Sequence, residues 1–445
     1  MNSCMRNSKE LRKWYTSIKF FKESFIKKKV LVLLLALALI FGTTSALADG
    51  DVTITLFHNK VEITSQLEAF AAEYSATHEG VTVKTEALGG GADYPSALKA
   101  KLQADQMPEI FIIDGLGDYQ IWEDYCSDLS DQSWVADTDL GFTLDGKVYG
   151  FPVCIEGFGL GYNADILAKA EIDPATLTTF SAVKAAFEKL DGMKEELGLD
   201  AVVAMGASVA GGMTWVTGKH NFTIYLGSNL DVSDTSIIDL FNEGKVDDAR
   251  LAQYAKYVNL LFDYADQDAL INGNYDHQLS SFASEKTAFL HQGNWVDPNM
   301  KQQEATFNMG FISHCFSEEE TTGLFLYAPS FYCVNSQAPV ENQEAAKAFL
   351  TYMATTEEGA KYMVEKAGMV SAFNSVTLKP AGQFSVVLME ANARGGNYAV
   401  RYPEMPEGFG MNTLGPIFEL LAQDAISEAD FCSLVADAIA DAAAK

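Results

Sequence analysis

The chain has 445 residues, 48% of them hydrophobic, and carries 31 Lys and Arg against 60 Asp and Glu, a formal net charge of −29. Hydrophobic content near half is that of a globular protein, not a disordered one. An acidic excess of this size repels phosphate backbones and anionic lipid, so nucleic acid and membrane surfaces are poor partners.

The first 48 residues differ from the rest. Lys27-Lys28-Lys29 precedes the apolar run Val30 to Phe41, and Ala46-Leu47-Ala48 follows it. A basic region, a short apolar core and an A-x-A site are the parts of a secretory signal peptide, which we expect over residues 1–48. The run is too short to span a bilayer comfortably, where roughly 20 residues are needed. The alternative is a retained membrane anchor. Cleavage makes the product exported, extracellular or held in the cell envelope, and periplasmic if the source has two membranes. Nine basic and two acidic residues lie in this leader, which leaves 22 and 58 beyond it and a net charge of −36. About 397 residues remain, enough for two domains. No cysteine lies between Cys4 and Cys126, so a lipid anchor just after the leader is not supported. The remaining cysteines, Cys126, Cys154, Cys315, Cys333 and Cys432, are far apart and form no C-x-x-C pair. They suit small buried hydrophobes better than a zinc site.

Val52, Ile54 and Leu56 alternate with threonines, the period of a half-buried strand. Ile63, Leu67, Phe70 and Tyr74 then share one helical face. Val81 and Val83 start a second strand, Gly89-Gly90-Gly91 makes a flexible loop, and Tyr94, Leu98 and Leu102 phase a second helix. Ile110-Phe111-Ile112-Ile113 suits a strand buried on both sides. This order predicts an α/β domain with a mostly parallel sheet. Farther on we expect a strand at Gly150–Ile155, a helix at Thr179–Leu190, a strand at Ala201–Met205 and a helix at Asp247–Phe262. Three more helices are expected at Asn342–Ala354, Thr356–Lys366 and Ser427–Ala443, the last with a Ser427/Asp430 cap.

No nucleophile elbow, metalloprotease or P-loop motif occurs, so we expect no enzyme, no cofactor and no metal. Six segments in order resemble a known family. They are Phe57-His58-Asn59-Lys60, Met107 to Asp114, Gly146 to Pro152, Glu156 to Asn163, Ser281 to Trp295, and Asn342 to Gly359. Together they resemble the bacterial extracellular solute-binding proteins of family 1, the capture subunits of ABC importers typified by the maltodextrin-binding protein. Glu109, Ser284 to Thr287 and Phe289 depart from the family pattern.

The resemblance implies a two-lobed periplasmic-binding-protein fold of type II, with discontinuous lobes around a hinge and a central cleft. The lobes are expected at 49–155 plus 329–375 and at 156–328 plus 376–445. It implies a monomer that captures a mono- or oligosaccharide by hinge closure and passes it to membrane permease subunits. A peptide, polyamine or sugar acid in the same fold is the nearest alternative. A secreted hydrolase and a sensory subunit are more distant ones. Open α/β sheets bind ligand at the carboxyl ends of strands. His58, Asn59, Lys60 and Asp114 are therefore candidates, with Glu156 at the hinge crossing. Trp295 leads the set, because an indole face matches the C–H face of a sugar; Asn294 precedes it. Trp215 is the second aromatic candidate, and Tyr225, Tyr332 and Phe373 are weaker ones. Trp122 is expected to pack internally. The segment 394–411, with Tyr402, Glu404 and Phe409, is expected to face the cleft. Arg394 or Arg401 is a candidate for an acidic ligand.

Overall fold

The computed structural model describes residues 51–444. The expected leader lies outside the described residues. The chain enters at β1 (Val52–His58), followed by the helix Thr64–Thr77, β2 (Val81–Ala87), the helix Tyr94–Gln103 and β3 (Ile110–Ile113). A short helix, Leu116–Trp122, leads to β4 (Phe142–Leu144) and β5 (Lys147–Pro152). Two short strands, β6 (Glu156–Phe158) and β7 (Leu160–Asn163), carry the chain into a second body. That body holds β8 (Val203–Ala204), β9 (Phe289–Leu290) and β10 (Met309–Ile312) among its helices. β11 (Phe325–Tyr327) and β12 (Phe331–Val334) run back, and β13 (Tyr398–Ala399) comes late.

These strands form three sheets, ordered β2-β1-β3-β12-β5-β4, β10-β7-β9-β8 and β13-β11-β6. The expectation of a mostly parallel first sheet holds only for β2-β1-β3. β12 inserts antiparallel between β3 and β5, and β4 pairs antiparallel with β5, so the sheet is mixed. The cause is a return connection: β3 is buried along its whole length, and a strand from more than 200 residues later supplies its second neighbour. The expected strand at Gly150–Ile155 begins earlier and ends at Pro152, and the one at Ala201–Met205 shrinks to two residues.

Two large hydrophobic cores result. One gathers Ile54, Phe111, Phe151 and Trp134 with Tyr332, Phe349 and Phe373. The other gathers Phe158, Phe187, Tyr254 and Phe289 with Phe384, Phe418 and Ile439. The expected helices are present, several of them with side-chain caps. Thr179 accepts from the Ala182 amide, and Asp247 from that of Arg250. Ser427 and Asp430 exchange hydrogen bonds in a full capping box. The predicted helix at 356–366 is α-helical only over Glu357–Lys361 and widens to a π-helical turn at Tyr362–Lys366. The five described cysteines are unpaired, and four of them are buried.

Candidate functional site

A cleft lies where the two cores meet, walled by residues from both. The end of β1 delivers Asn59 and Lys60, and the end of β3 delivers Asp114. β6 opens with Glu156. The other wall is aromatic. His220 comes from the π-helical stretch Val216–Asn221 and Trp215 from the residue just before it, Tyr275 from a helix start, Trp295 from a 3-10 turn, and Tyr327 and Tyr402 from β11 and the late segment.

Two ion pairs cross this cleft. Lys60 donates to Glu156 Oε1 at 2.7 Å, with both side chains nearly buried. Burial alone would lower the pKa of the Lys60 ammonium; the Glu156 carboxylate outweighs it and holds the pKa above its ordinary value. Lys219 donates to Asp114 Oδ2 at 3.2 Å, while Ser330 Oγ donates to Oδ1 at 3.0 Å. For Lys219 too, burial is opposed and overcome by Asp114, and the amine is held charged. Its ammonium also stands 5.2 Å above the Tyr402 ring, in cation–π range. Glu62 faces the same space with no ion-pair partner within salt-bridge distance among the described residues. Burial pushes its pKa up to about 7, with Lys60 opposing and Glu156 reinforcing the rise.

The aromatic wall is continuous. Trp215 lies 5.5 Å from Tyr275 and 6.5 Å from Trp295, ring centroid to centroid. His220 packs 4.7 Å from Trp295 and 5.5 Å from Tyr402. Burial, with neighbouring cations and His291, keeps His220 neutral. The Trp295 indole donates to Gln292 Oε1 at 2.8 Å, and Gln292 in turn donates to Gln278, which fixes the ring. The Trp215 indole N–H and Asn59 Oδ1 have no hydrogen-bond partner among the described residues, although both line the cleft. A buried polar atom left unpaired costs about 1–3 kcal/mol, a cost this wall of the cleft carries twice.

Of the expected site residues, the fold brings Trp295, Asp114, Asn59, Glu156, Trp215 and Lys60 to one cleft. Two are corrected. His58 is fully buried, because the two-residue period of β1 turns it to the same face as Ile54 and Leu56. Asn294 accepts from the Gly157 amide and donates to Ser385 Oγ, so it ties elements together and reaches only a small side cavity.

The weaker candidates also move. Tyr225, Tyr332 and Phe373 are core residues, as is Trp122, which packs on Phe111 as expected. In segment 394–411, Tyr402 and Met411 reach the cleft. Arg401 is spent on Glu404 and on the carbonyls of Val232 and Asp234, and Phe409 packs on Phe241. Arg394 ends a helix, exposed and away from the cleft. Sequence reasoning missed Glu62, Lys219, His220, Tyr275 and Tyr327. A signal existed for Lys219 and His220, which follow Trp215 by about one helical turn. Nothing local marks the others.

A family model described as bacterial extracellular solute-binding protein matches residues 69–389. The melibiose/raffinose/stachyose-binding protein of Bacillus subtilis is 24% identical over 372 residues, covering 78% of this chain and 81% of its own. The multiple sugar-binding protein of Streptococcus mutans is 22% identical, covering 71% and 74%. Among solved structures, a chitin oligosaccharide binding protein superposes with TM-score 0.73 at 19% identity over 89% of this chain and all of its own. A Bacillus licheniformis sugar transporter in complex with stachyose gives 0.70 at 18% identity, over 88% of this chain and all of its own. These neighbours share the two-lobed α/β fold. With a family match over most of its length, the chain belongs to the bacterial extracellular solute-binding proteins.

Proposed function

We propose that this protein is the exported capture subunit of an ABC importer, binding a mono- or oligosaccharide without transforming it. The observation that carries this reading is the asymmetry of the cleft. One wall is a run of aromatic faces, Trp215, Trp295, Tyr275 and Tyr402; the other presents Asn59, Glu62, Asp114 and Lys60. A sugar ring offers apolar C–H faces to the first and a hydroxyl rim to the second. A polyamine site would need carboxylates without counter-ions. Here Lys60 and Lys219 neutralise Glu156 and Asp114, and a lone unpaired carboxyl, that of Glu62, is too little for a polycation. The sugar-binding relatives support the same ligand class.

In this reading residues 49–155 with 329–375, and 156–328 with 376–445, are the bodies that close on the ligand, which binds the closed state more tightly. The leader is removed on export, the product acts as a monomer, and permease subunits receive the closed, loaded form. The test is a thermal-shift panel of saccharides and other solutes on the mature chain, followed by product analysis. A true ligand at 100 times its dissociation constant adds about 2.7 kcal/mol of stability. A panel in which only polyamines or peptides shift the transition, or in which a saccharide is cleaved, overturns the proposal.

A further inference from the structure

The charges that line the cleft do not cancel. Three of the lining side chains are acidic, Glu62, Asp114 and Glu156, and two are basic, Lys60 and Lys219. His220 lines the cleft too, and burial keeps it neutral. Glu156 takes Lys60 at 2.7 Å, and Asp114 takes Lys219 at 3.2 Å. One negative charge is left over. It belongs to Glu62, which pairs with no cation among the described residues.

Glu62 sits in the short turn Val61–Ile63 that carries the end of β1 into the helix Thr64–Thr77. The turn brings it to the cleft, to the groove outside and to the side cavity beside Lys60, so a ligand can reach it. Lys60 is near enough to attract its carboxylate but is already spent on Glu156. The other titratable groups around it, Glu156, Cys154, Tyr275 and Tyr332, bring no positive charge. The neighbouring wall is aromatic, with Tyr275 and Trp215 ring centroids 5.5 Å apart and Trp295 6.5 Å from Trp215. Ring faces attract an ammonium through their quadrupole, most strongly where water is excluded. In the groove outside, Glu68, Asp276, Glu304 and Glu365 outnumber Lys301 and Lys366, a field that draws cations inward. A ligand hydroxyl can donate to Glu62 but leaves its charge uncompensated in a poorly solvated place. A single ammonium answers both the lone pairs and the charge, and a second one finds no second free carboxylate in the cleft.

We infer that Glu62 selects a protonated amine, so that the preferred ligand is an amino sugar, a hydroxyl-bearing ring with one unacylated ammonium group. The inference rests on the carbohydrate reading and deepens it, because it names the substituent that sets the ligand apart from a neutral sugar of the same size. The ammonium donates to the Glu62 carboxylate beside Tyr275. The ring faces lie against the tryptophans, as for any sugar.

The experiment is calorimetric titration of the mature chain at pH 7.5 with ligands that differ only at the second ring carbon. One set is glucosamine, N-acetylglucosamine and glucose; another is their galactose counterparts; a third is cellobiose, the chitin disaccharide and its singly deacetylated form. Each is run on wild type and on Glu62→Gln, with thermal unfolding to compare their folds. Gln keeps the size and an acceptor oxygen and removes only the charge. In the set that binds, wild type takes the amine about tenfold or more tighter than the hydroxyl and acetamide forms, the worth of one charge-assisted bond. In Glu62→Gln that ratio collapses toward one. A wild-type ratio of one or less overturns the amine whether or not the variant folds, and so does a ratio that survives in Glu62→Gln. Binding of neutral saccharides from the wider panel, with none of the amine forms bound, overturns it as well. Each of these leaves the carbohydrate reading standing. Binding of choline, polyamines or peptides with no saccharide bound overturns both, as does a panel in which nothing binds.

Discussion

Gly91 and Gly212 meet backbone to backbone at the rim of the cleft, and a Cβ added to Gly91 would stand 2.7 Å from the Gly212 carbonyl oxygen. Both have positive φ, 99° and 71°. Gly91 follows β2 in the first body, and Gly212 precedes Met213 of the second core. The contact therefore exists only while the bodies are together. Overpacking of this kind costs about 1–3 kcal/mol. Gly91→Ala is expected to weaken ligand binding by on the order of tenfold and to enlarge the radius of gyration of the loaded protein. Solution scattering with and without ligand checks it, and an unchanged loaded profile would remove the contact from the closure mechanism.

The two tryptophans are expected to separate under mutation. Trp215 is partly exposed and its indole N–H is unpaired, so Trp215→Ala should lose ligand affinity with little loss of stability. Trp295 is 8% exposed, bonded to Gln292 and packed on Phe158 and His220. Trp295→Ala should lose affinity and also about 3–5 kcal/mol of stability. Urea titration alongside calorimetry distinguishes the two outcomes.

The Lys60–Glu156 pair is nearly buried, and breaking such a pair strands a charge. Lys60→Met alone and Glu156→Gln alone are each expected to cost about 3–5 kcal/mol. The double variant should cost less than the two singles together. A double-mutant cycle in denaturant measures this, and strict additivity would show that the pair is not coupled.

Stability is expected to fall as pH drops from about 6.5 toward 4. Burial, then Lys60, lowers His58 to about 4, and burial lowers His291 to about 4; His220 and His314 are lowered further. In this window the unfolded chain binds protons that the folded chain refuses, so each such histidine removes stability as pH falls. Glu62 and Asp118, raised to about 7 and about 6 chiefly by burial, act in the opposite direction, because the folded state takes up their protons first. His58→Leu deletes one histidine from the balance. It should therefore gain on wild type by about 1.4 kcal/mol per pH unit across that window. Thermal melts at pH 8 and pH 5 give the comparison.

Ligand affinity should carry its own pH dependence through Glu62. Its carboxyl faces Lys60, Glu156 and Tyr275, and ionises near pH 7. An ionised carboxylate is the better acceptor for ligand hydroxyls. Affinity is then expected to fall as pH drops below about 7, and Glu62→Gln should flatten that profile. Titrations at pH 8 and pH 5.5 on both proteins decide it.

Much of the architecture was legible before folding was considered. The alternation in Val52–His58, the phased faces from Ile63 to Tyr74 and from Leu251 to Leu261, and the Ser427/Asp430 cap are each set within a dozen residues. Strand ends pointed to Asn59, Lys60 and Asp114 for the same reason. His58 was misread although its register with Ile54 and Leu56 was visible, because a polar residue at a strand end looks like a site until its face is counted.

Residue order and local periodicity thus determined by themselves that the chain is acidic, α/β and built of these strands and helices. Tertiary structure alone decided that β12 enters the first sheet antiparallel, that Lys60 faces Glu156 and Lys219 faces Asp114, and that Tyr275, Tyr327 and Tyr402 share a wall with Trp295. The reason is range. A helix or strand is specified by neighbours a few positions apart, whereas these partners are up to more than 200 positions apart and meet only when distant parts of the chain have packed.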